Sequence, residues 1–195
     1  MITTEQIKEL RDKTGISVMQ CKKALEEAGG DIEKALIILR KKSGEIASKK
    51  SDRTFGAGTI ASYVHTNGNV GVLVELVCET DFVSGNDEFK ALARDIAMQV
   101  AATSPEYGTV AAIPEAAKAT ASEVFQKEVE GKPEAMKAQI LEGKLKAYFK
   151  DKVLLEQEFI KNPDVTIQGL IDGAMQKFGE KIQIERFVRF NVLEK

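Results

Sequence analysis

One histidine and two cysteines are all the imidazole and thiol ligands that this 195-residue chain carries. A lone imidazole, His65, rules out a multi-histidine metal site. Cys21 and Cys78 lie far apart in sequence and form no metal-ligand spacing. Two reduced, mostly buried thiols in a reducing cytosol are the simpler expectation. No run of about 18 apolar residues occurs, so no membrane-spanning helix is expected. The opening stretch, "MITTEQIKELRDKTG", is amphipathic and acid-bearing. It has no apolar h-region, unlike a secretion signal, and does not look like a transit peptide. An excess of one charge is missing too: the net charge of −2 argues against bulk nucleic-acid binding. Neither G-x-x-x-x-G-K nor G-x-G-x-x-G is present, so no nucleotide cofactor is expected.

Short helical signals come first. Thr3 with Gln6 makes a capping-box pattern before "TEQIKELRDK", and Gly15 stops that helix. Ser17 with Gln20 repeats the pattern before "VMQCKKALEEA". Gly29 and Gly30 end the second helix, and Asp31 caps a third, "IEKALIILRKK". Apolar residues at Ile7 and Leu10, at Val18, Cys21 and Leu25, and at Ile32, Ala35, Leu36 and Leu39 make one buried stripe per helix. Residues 1–42 therefore read as a three-helix bundle, a size of module that binds other proteins more often than it catalyses. Residues 43–56, "SGEIASKKSDRTFG", read as a basic linker without an apolar period. Its Lys49, Lys50 and Arg53, with the preceding Lys41 and Lys42, either touch an acidic partner or are simply solvated. Charge is uneven along the chain: residues 1–53 hold 12 Lys/Arg against 9 Asp/Glu, and the remainder 16 against 21.

Residues 57–195 read as an α+β core. "GTIASYVHTNGNVGVLVELVCE" is a hairpin about Asn67-Gly68, with Val72, Val74, Leu76 and Cys78 on one face of its second strand. A long helix follows, capped by Ser84 or Asn86, with Phe89, Leu92, Ala93, Ile96, Ala97, Val100 and Ala101 as its apolar face. Helices are expected over 115–130 and 133–160, separated by "GKP", then a short one in "IQGLIDGAMQKFG" after Pro163. The chain ends in a strand, "KIQIERFVRFNV". Strict alternation there groups Ile182, Ile184, Arg186, Val188 and Phe190 on one face. The sum is a small antiparallel sheet, hairpin plus C-terminal strand, covered by helices on one face.

Enzymatic chemistry finds no constellation. The single thiol–imidazole pair is Cys78 with His65. If Asn67 and Gly68 form the turn, Cys78 lies opposite Ala57, and His65 is eight residues further along. At ~3.4 Å per residue that is roughly 27 Å. Carboxylates are scattered on helix faces. Phe82, in "VCETDFVSGND", is the residue out of place: an aromatic ring beside a carboxylate at a strand-to-helix junction. Either it folds back as a lid on the Cys78 face, or it projects as a wedge for a partner. A buried Phe is worth roughly 1.5–3 kcal/mol, and central aromatics often dominate interfaces.

The segments "ELRDKTGISVMQCKKALEEAGGDIEKA", "SYVHTNGNVGVLVELVCETDFV" and "GEKIQIERFVRF" together resemble the translation elongation factor Ts family, in order from residue 4 to residue 193 and weakening over 105–165. Three residues depart from the family pattern: Gln20 where Asp is usual, Glu185 in place of one Arg of a frequent pair, and Ser84 where Ala is common. The resemblance implies guanine-nucleotide exchange on elongation factor Tu in the cytoplasm, without covalent chemistry and without a cofactor. It implies that Thr80, Asp81, Phe82 and Val83 form the loop that intrudes into the GTPase and dislodges Mg²⁺. It places Lys8, Arg11, Val18 and Met19 toward the region around the partner's phosphate loop, and makes His65 a core contact. Long members carry two related core subdomains and a coiled-coil insertion. This chain has room for one core, so the resemblance suggests a homodimer that supplies the two halves; no nucleic acid or membrane is an expected partner. A different reading, a peptide- or chaperone-binding adaptor, rests on the likeness of the 1–42 bundle to ubiquitin-associated domains.

Overall fold

The computed structural model describes residues 2–129, 133–192 and 194. Its first helices begin where their caps place them. In α1 (Thr4–Thr14) the Gln6 N–H donates to the Thr3 hydroxyl, and the Gln6 side chain accepts from the Thr3 N–H. Gly15, at φ 66°, takes the left-handed stop. Ser17 caps α2 (Val18–Glu27) and Asp31 caps α3 (Ile32–Ser48). Leu10, Cys21, Leu25, Ala35 and Leu39 close into a small core of their own.

The basic linker expected from residue 43 onward is corrected at its start: α3 runs on to Ser48. The stripe continues through a polar position. Ser43 is buried four residues after Leu39, and its hydroxyl donates to Leu39 O at 3.0 Å. Ala47 then packs against the sheet core. A serine that satisfies itself on the preceding turn hides the period from a reading of apolar residues alone.

β1 (Ala57–Val64) and β2 (Val70–Cys78) form the hairpin, with Ala57 opposite Cys78. Four residues, 66–69, make the connection, because the His65 N–H donates to Val70 O at 2.9 Å and the Gly68 N–H to His65 O at 2.8 Å. That loop is longer than a two-residue turn by one residue on each side, so the register is unchanged. A single turn, α4 (Asp81–Ser84), and the long α5 (Asp87–Thr103) follow. Phe89, Ala93, Ile96, Ala97 and Val100 of α5 are buried against Val72, Val74, Leu76 and Cys78 of β2.

Residues 105–165 differ from expectation. α6 (Glu115–Val129) and α7 (Glu134–Lys150) form a helical pair. Of the "GKP" break, Gly131 and Lys132 lie outside the described residues; Pro133 precedes α7. The helix expected over 133–160 stops at Lys150 because distant backbone takes over the next residues. The Glu106 and Tyr107 N–H groups donate to Lys152 O, and the Leu154 N–H donates to Tyr107 O at 2.8 Å. Gln99, fully buried on α5, then donates to Gln157 Oε1 and to Glu158 O and accepts from the Ile160 N–H. It docks an additional two-stranded sheet, β3 (Glu158–Phe159) with β4 (Asn162–Thr166).

α8 (Ile167–Phe178) follows, and β5 (Gln183–Asn191) completes the three-stranded sheet in the order β1-β2-β5, all antiparallel. The strict alternation expected for β5 is overturned. Leu76 pairs with Ile184 and Glu75 with Arg186, so Glu185 bulges out of the ladder. Beyond the bulge the faces exchange: Phe187 packs against the core, and Val188 and Phe190 point outward. The helices cover the inner face of the sheet. Ile60, Val64, Leu73, Val188 and Phe190 lie exposed on the strands' opposite side.

Candidate functional site

The junction between β2 and α5 is ordered by its own backbone. The Ser84 N–H donates to Thr80 O at 3.2 Å, the Gly85 N–H to Asp81 O at 2.8 Å and the Asn86 N–H to Val83 O at 3.0 Å. Residues 81–84 thus complete one helical turn where a loop is the simple expectation. Neighbouring side chains on a helix diverge by about 100°, so Phe82 and Val83 cannot both face the core. Val83 takes the inside, at 3% exposure, among the residues of the sheet core. Phe82 is 86% exposed, the most exposed large apolar side chain among the described residues. The lid alternative for Phe82 does not hold in this structure. Asp81 and Thr80 flank it at the surface, and the Asn86 side chain accepts the Glu88 N–H to start α5.

The turn is tied from behind by a segment 100 residues away. Glu180, between α8 and β5, accepts the Glu79 N–H at 3.1 Å and the Thr80 N–H at 3.0 Å through one carboxylate oxygen. Its other oxygen accepts the Thr80 hydroxyl at 2.5 Å. Glu79 answers in the opposite direction: its carboxylate accepts the Lys181 N–H at 2.5 Å and the Arg53 guanidinium at 3.0 Å. Burial alone would raise the Glu79 carboxyl. The Lys181 and Arg53 hydrogen bonds, with the Arg53 and Lys50 charges, outweigh it and hold the group below its usual value. The Cys78 thiol donates to Thr80 O at 3.2 Å, and burial followed by the Glu180 charge pushes this thiol up, so it stays protonated.

Two cations of the expected linker, Lys50 and Arg53, are employed here. Lys50 Nζ donates to Gly179 O at 2.6 Å, at the C-terminal end of α8, where backbone carbonyls lack partners. Lys42 pairs with Glu27, and Arg53 with Glu79. These three are thereby committed within the chain.

The N-terminal candidates are all at the surface. Lys8 and Arg11 lie three residues apart on α1, and Val18 and Met19 open α2, with Met19 at 69% exposure and so outside the bundle core. The bundle is pinned to the core by a side-chain relay: the Ser43 hydroxyl shares its one hydrogen between Leu39 O and Gln176 Oε1 of α8, and Gln176 donates to Gln20 Oε1 at 3.3 Å. Gln20 therefore serves this contact. His65 is exposed at the opposite end of the hairpin from Cys78, and the Tyr63 hydroxyl lies 3.1 Å from its Nδ1. It is separated from the Phe82 turn by about 27 Å of strand at ~3.4 Å per residue. Of these surface positions the Phe82 turn carries the most exposed large apolar side chain, and His65 lies apart from it at the far end of the hairpin. Among the described residues no group of three or more His, Cys, Asp or Glu could hold a metal ion, and no helix is long and apolar enough to cross a membrane.

A family model described as elongation factor TS matches residues 3–194. The chain is 48% identical over 196 aligned positions to a protein named elongation factor Ts from Carboxydothermus hydrogenoformans, covering 100% of this chain and 90% of that one. A protein of the same name from Thermodesulfovibrio yellowstonii is 47% identical, covering 98% of this chain and 96% of its own length. One from Thermosipho melanesiensis is 46% identical with both chains covered in full.

Proposed function

The chain belongs to the elongation factor Ts family and is a translation elongation factor; from that premise we propose that it is the guanine-nucleotide exchange factor for elongation factor Tu. It acts in the cytoplasm by binding, with no covalent step. The observation that carries the reading is Phe82: a ring 86% exposed on a turn held rigidly at its base. Large exposed apolar side chains on ordered backbone serve as interface anchors. In this reading Phe82 enters the GTPase domain of the GDP-bound partner, and Asp81 accepts hydrogen bonds beside it. Thr80 and Val83 fix the turn, one at its base and one in the core.

Lys8, Arg11, Val18 and Met19 supply a second contact near the partner's phosphate-binding region, and His65 a third on the core. Contacts from more than one element hold the wedge in register while the nucleotide leaves. The factor and GDP weaken each other's binding in a ternary complex, and that coupling is reciprocal. Mg²⁺ demands near-ideal octahedral geometry, so a small displacement of its protein ligands lowers its affinity. GDP then dissociates, and GTP takes the site. The factor speeds the approach to equilibrium and does not choose the nucleotide.

A different surface, the open face of the sheet, supports a symmetric homodimer through the core. Ile60, Val64, Leu73, Val188 and Phe190 make an apolar sheet face with no helix over it among the described residues, and joining two such faces removes both from water.

The test is release of a fluorescent GDP from elongation factor Tu with and without the chain. Acceleration that saturates with the chain's concentration supports exchange. A peptide- or chaperone-binding adaptor working through the 1–42 bundle predicts no acceleration, and instead retention of many unrelated clients in a pull-down.

A further inference from the structure

We propose that Glu180 is a positioning residue for nucleotide exchange: its carboxylate holds the turn that projects Phe82. The proposal rests on the exchange reading above and adds a residue outside the turn itself.

Three observations carry it. First, both oxygens of Glu180 are used on the two residues that precede the turn, taking the N–H groups of Glu79 and Thr80 and the Thr80 hydroxyl. Two successive amides and a hydroxyl on one carboxylate fix the direction in which the chain leaves β2. Second, Thr80 gives up its local role. A threonine at a helix N-cap ordinarily accepts a backbone N–H of the first turn. Thr80, at φ −131° and ψ 157°, has the cap backbone but makes no side-chain cap bond, and its hydroxyl points to Glu180 instead. Third, the grip is crossed. Glu180 holds residues 79 and 80, while Glu79 holds the Lys181 N–H. Two opposed tethers one residue apart resist both sliding and rotation of the junction.

The turn between α8 and β5 also receives the N-terminal segment. Lys50 and Arg53 donate to Gly179 O, and the Lys181 ammonium donates to Ser51 O at 2.6 Å and Arg53 O at 3.0 Å. Three residues, Gly179 to Lys181, therefore link the end of α3 to the base of the Phe82 turn. A wedge displaces a partner's backbone only to the degree that its own backbone does not yield, so the value of this clamp lies in preorganisation rather than in a contact of its own.

The experiment measures the GDP release rate at saturating factor and the half-saturating concentration, for the full-length chain. Glu180→Ala is expected to lower the saturating rate at least about tenfold, the scale of a charge-assisted hydrogen bond lost, with the half-saturating concentration moved less than about threefold. Glu180→Gln is expected to restore most of the rate, because its oxygen accepts the two amides and its NH₂ donates to the Thr80 hydroxyl. In a Phe82→Ala background, Glu180→Ala is expected to add nothing, since the residue acts through the ring. Thr80→Val, which removes one of the three bonds, is run in the same two backgrounds and decides the matter if Glu180→Ala does not fold. Unchanged saturating rates, or losses that multiply with that of Phe82→Ala, overturn the proposal. A Phe82→Ala protein that keeps the wild-type rate overturns the wedge reading itself, which is a separate result.

Discussion

Replacing Phe82 by alanine separates folding from function in this chain. The ring is 86% exposed, while the adjacent Val83 is 3% exposed and buried in the core. Removing the ring therefore leaves the turn's anchor in place, and the folded state is expected to change by less than about 0.5 kcal/mol. Its cost falls on the complex. Burying a Phe in a partner is worth roughly 1.5–3 kcal/mol. If that energy is expressed where Mg²⁺ and GDP are loosened, the saturating GDP release rate drops by about 12- to 140-fold, at about 1.4 kcal/mol per factor of ten. Stopped-flow release of a fluorescent GDP across a range of factor concentrations reads the saturating rate and the half-saturating concentration separately. The reasoning predicts a large fall in the first and a small change in the second. An unchanged saturating rate with a large rise in half-saturating concentration makes Phe82 a docking residue and refutes the wedge. A lowered melting temperature refutes the claim that the ring lies outside its own core.

Other perturbations probe the scaffold. Phe89 is fully buried and meets Phe178 edge-to-face at 6.2 Å, so Phe89→Ala is expected to destabilise by about 3–5 kcal/mol and to lower the thermal midpoint by roughly 10 °C, as checked by circular dichroism. Asp172 of α8 is half-buried; burial raises its carboxyl above the usual 3.8, and the Gln168 hydrogen bond only partly offsets this. The native state thus binds that proton more tightly than the unfolded chain, so a penalty accrues as pH rises from 3.8 through the raised folded-state value and is complete above it. Asp172→Asn should raise the melting temperature at pH ~7, with the gain vanishing below about pH 4; an equal gain at both pH values contradicts it. Phe190 is 66% exposed on the open sheet face, so Phe190→Lys is expected to turn a dimer into a monomer in sedimentation equilibrium. A wild-type chain already monomeric at tens of micromolar removes the dimer.

Legibility followed the range of the physical signal. Helix starts in the N-terminal bundle were readable because a cap acts over three residues: Thr3 with Gln6, Ser17 with Gln20, Asp31 with Lys34. The hairpin register was readable because symmetric lengthening of the turn leaves Ala57 opposite Cys78. The stripe of α5 was readable because five of its apolar residues are buried on one face of a 3.6-residue repeat. The oddity of Phe82 was visible as a residue type in the wrong context, and its neighbours supplied the resemblance.

What the sequence by itself determined is therefore local: the caps, the periods, the strand pairing of the hairpin and the presence of an aromatic ring at a strand's exit. Tertiary structure alone decided that α3 continues through Ser43, that a bulge at Glu185 exchanges the faces of β5, and that backbone bonds from residues 106 and 107 stop α7 at Lys150 while Gln99 draws residues 157–160 toward another sheet. It also decided that Glu180 clamps Thr80 from 100 residues away. The last two depend on a polar group finding a partner across the fold. A single long-range hydrogen bond has no period and no spacing, so the linear chain carries no sign of it until packing brings the two ends together.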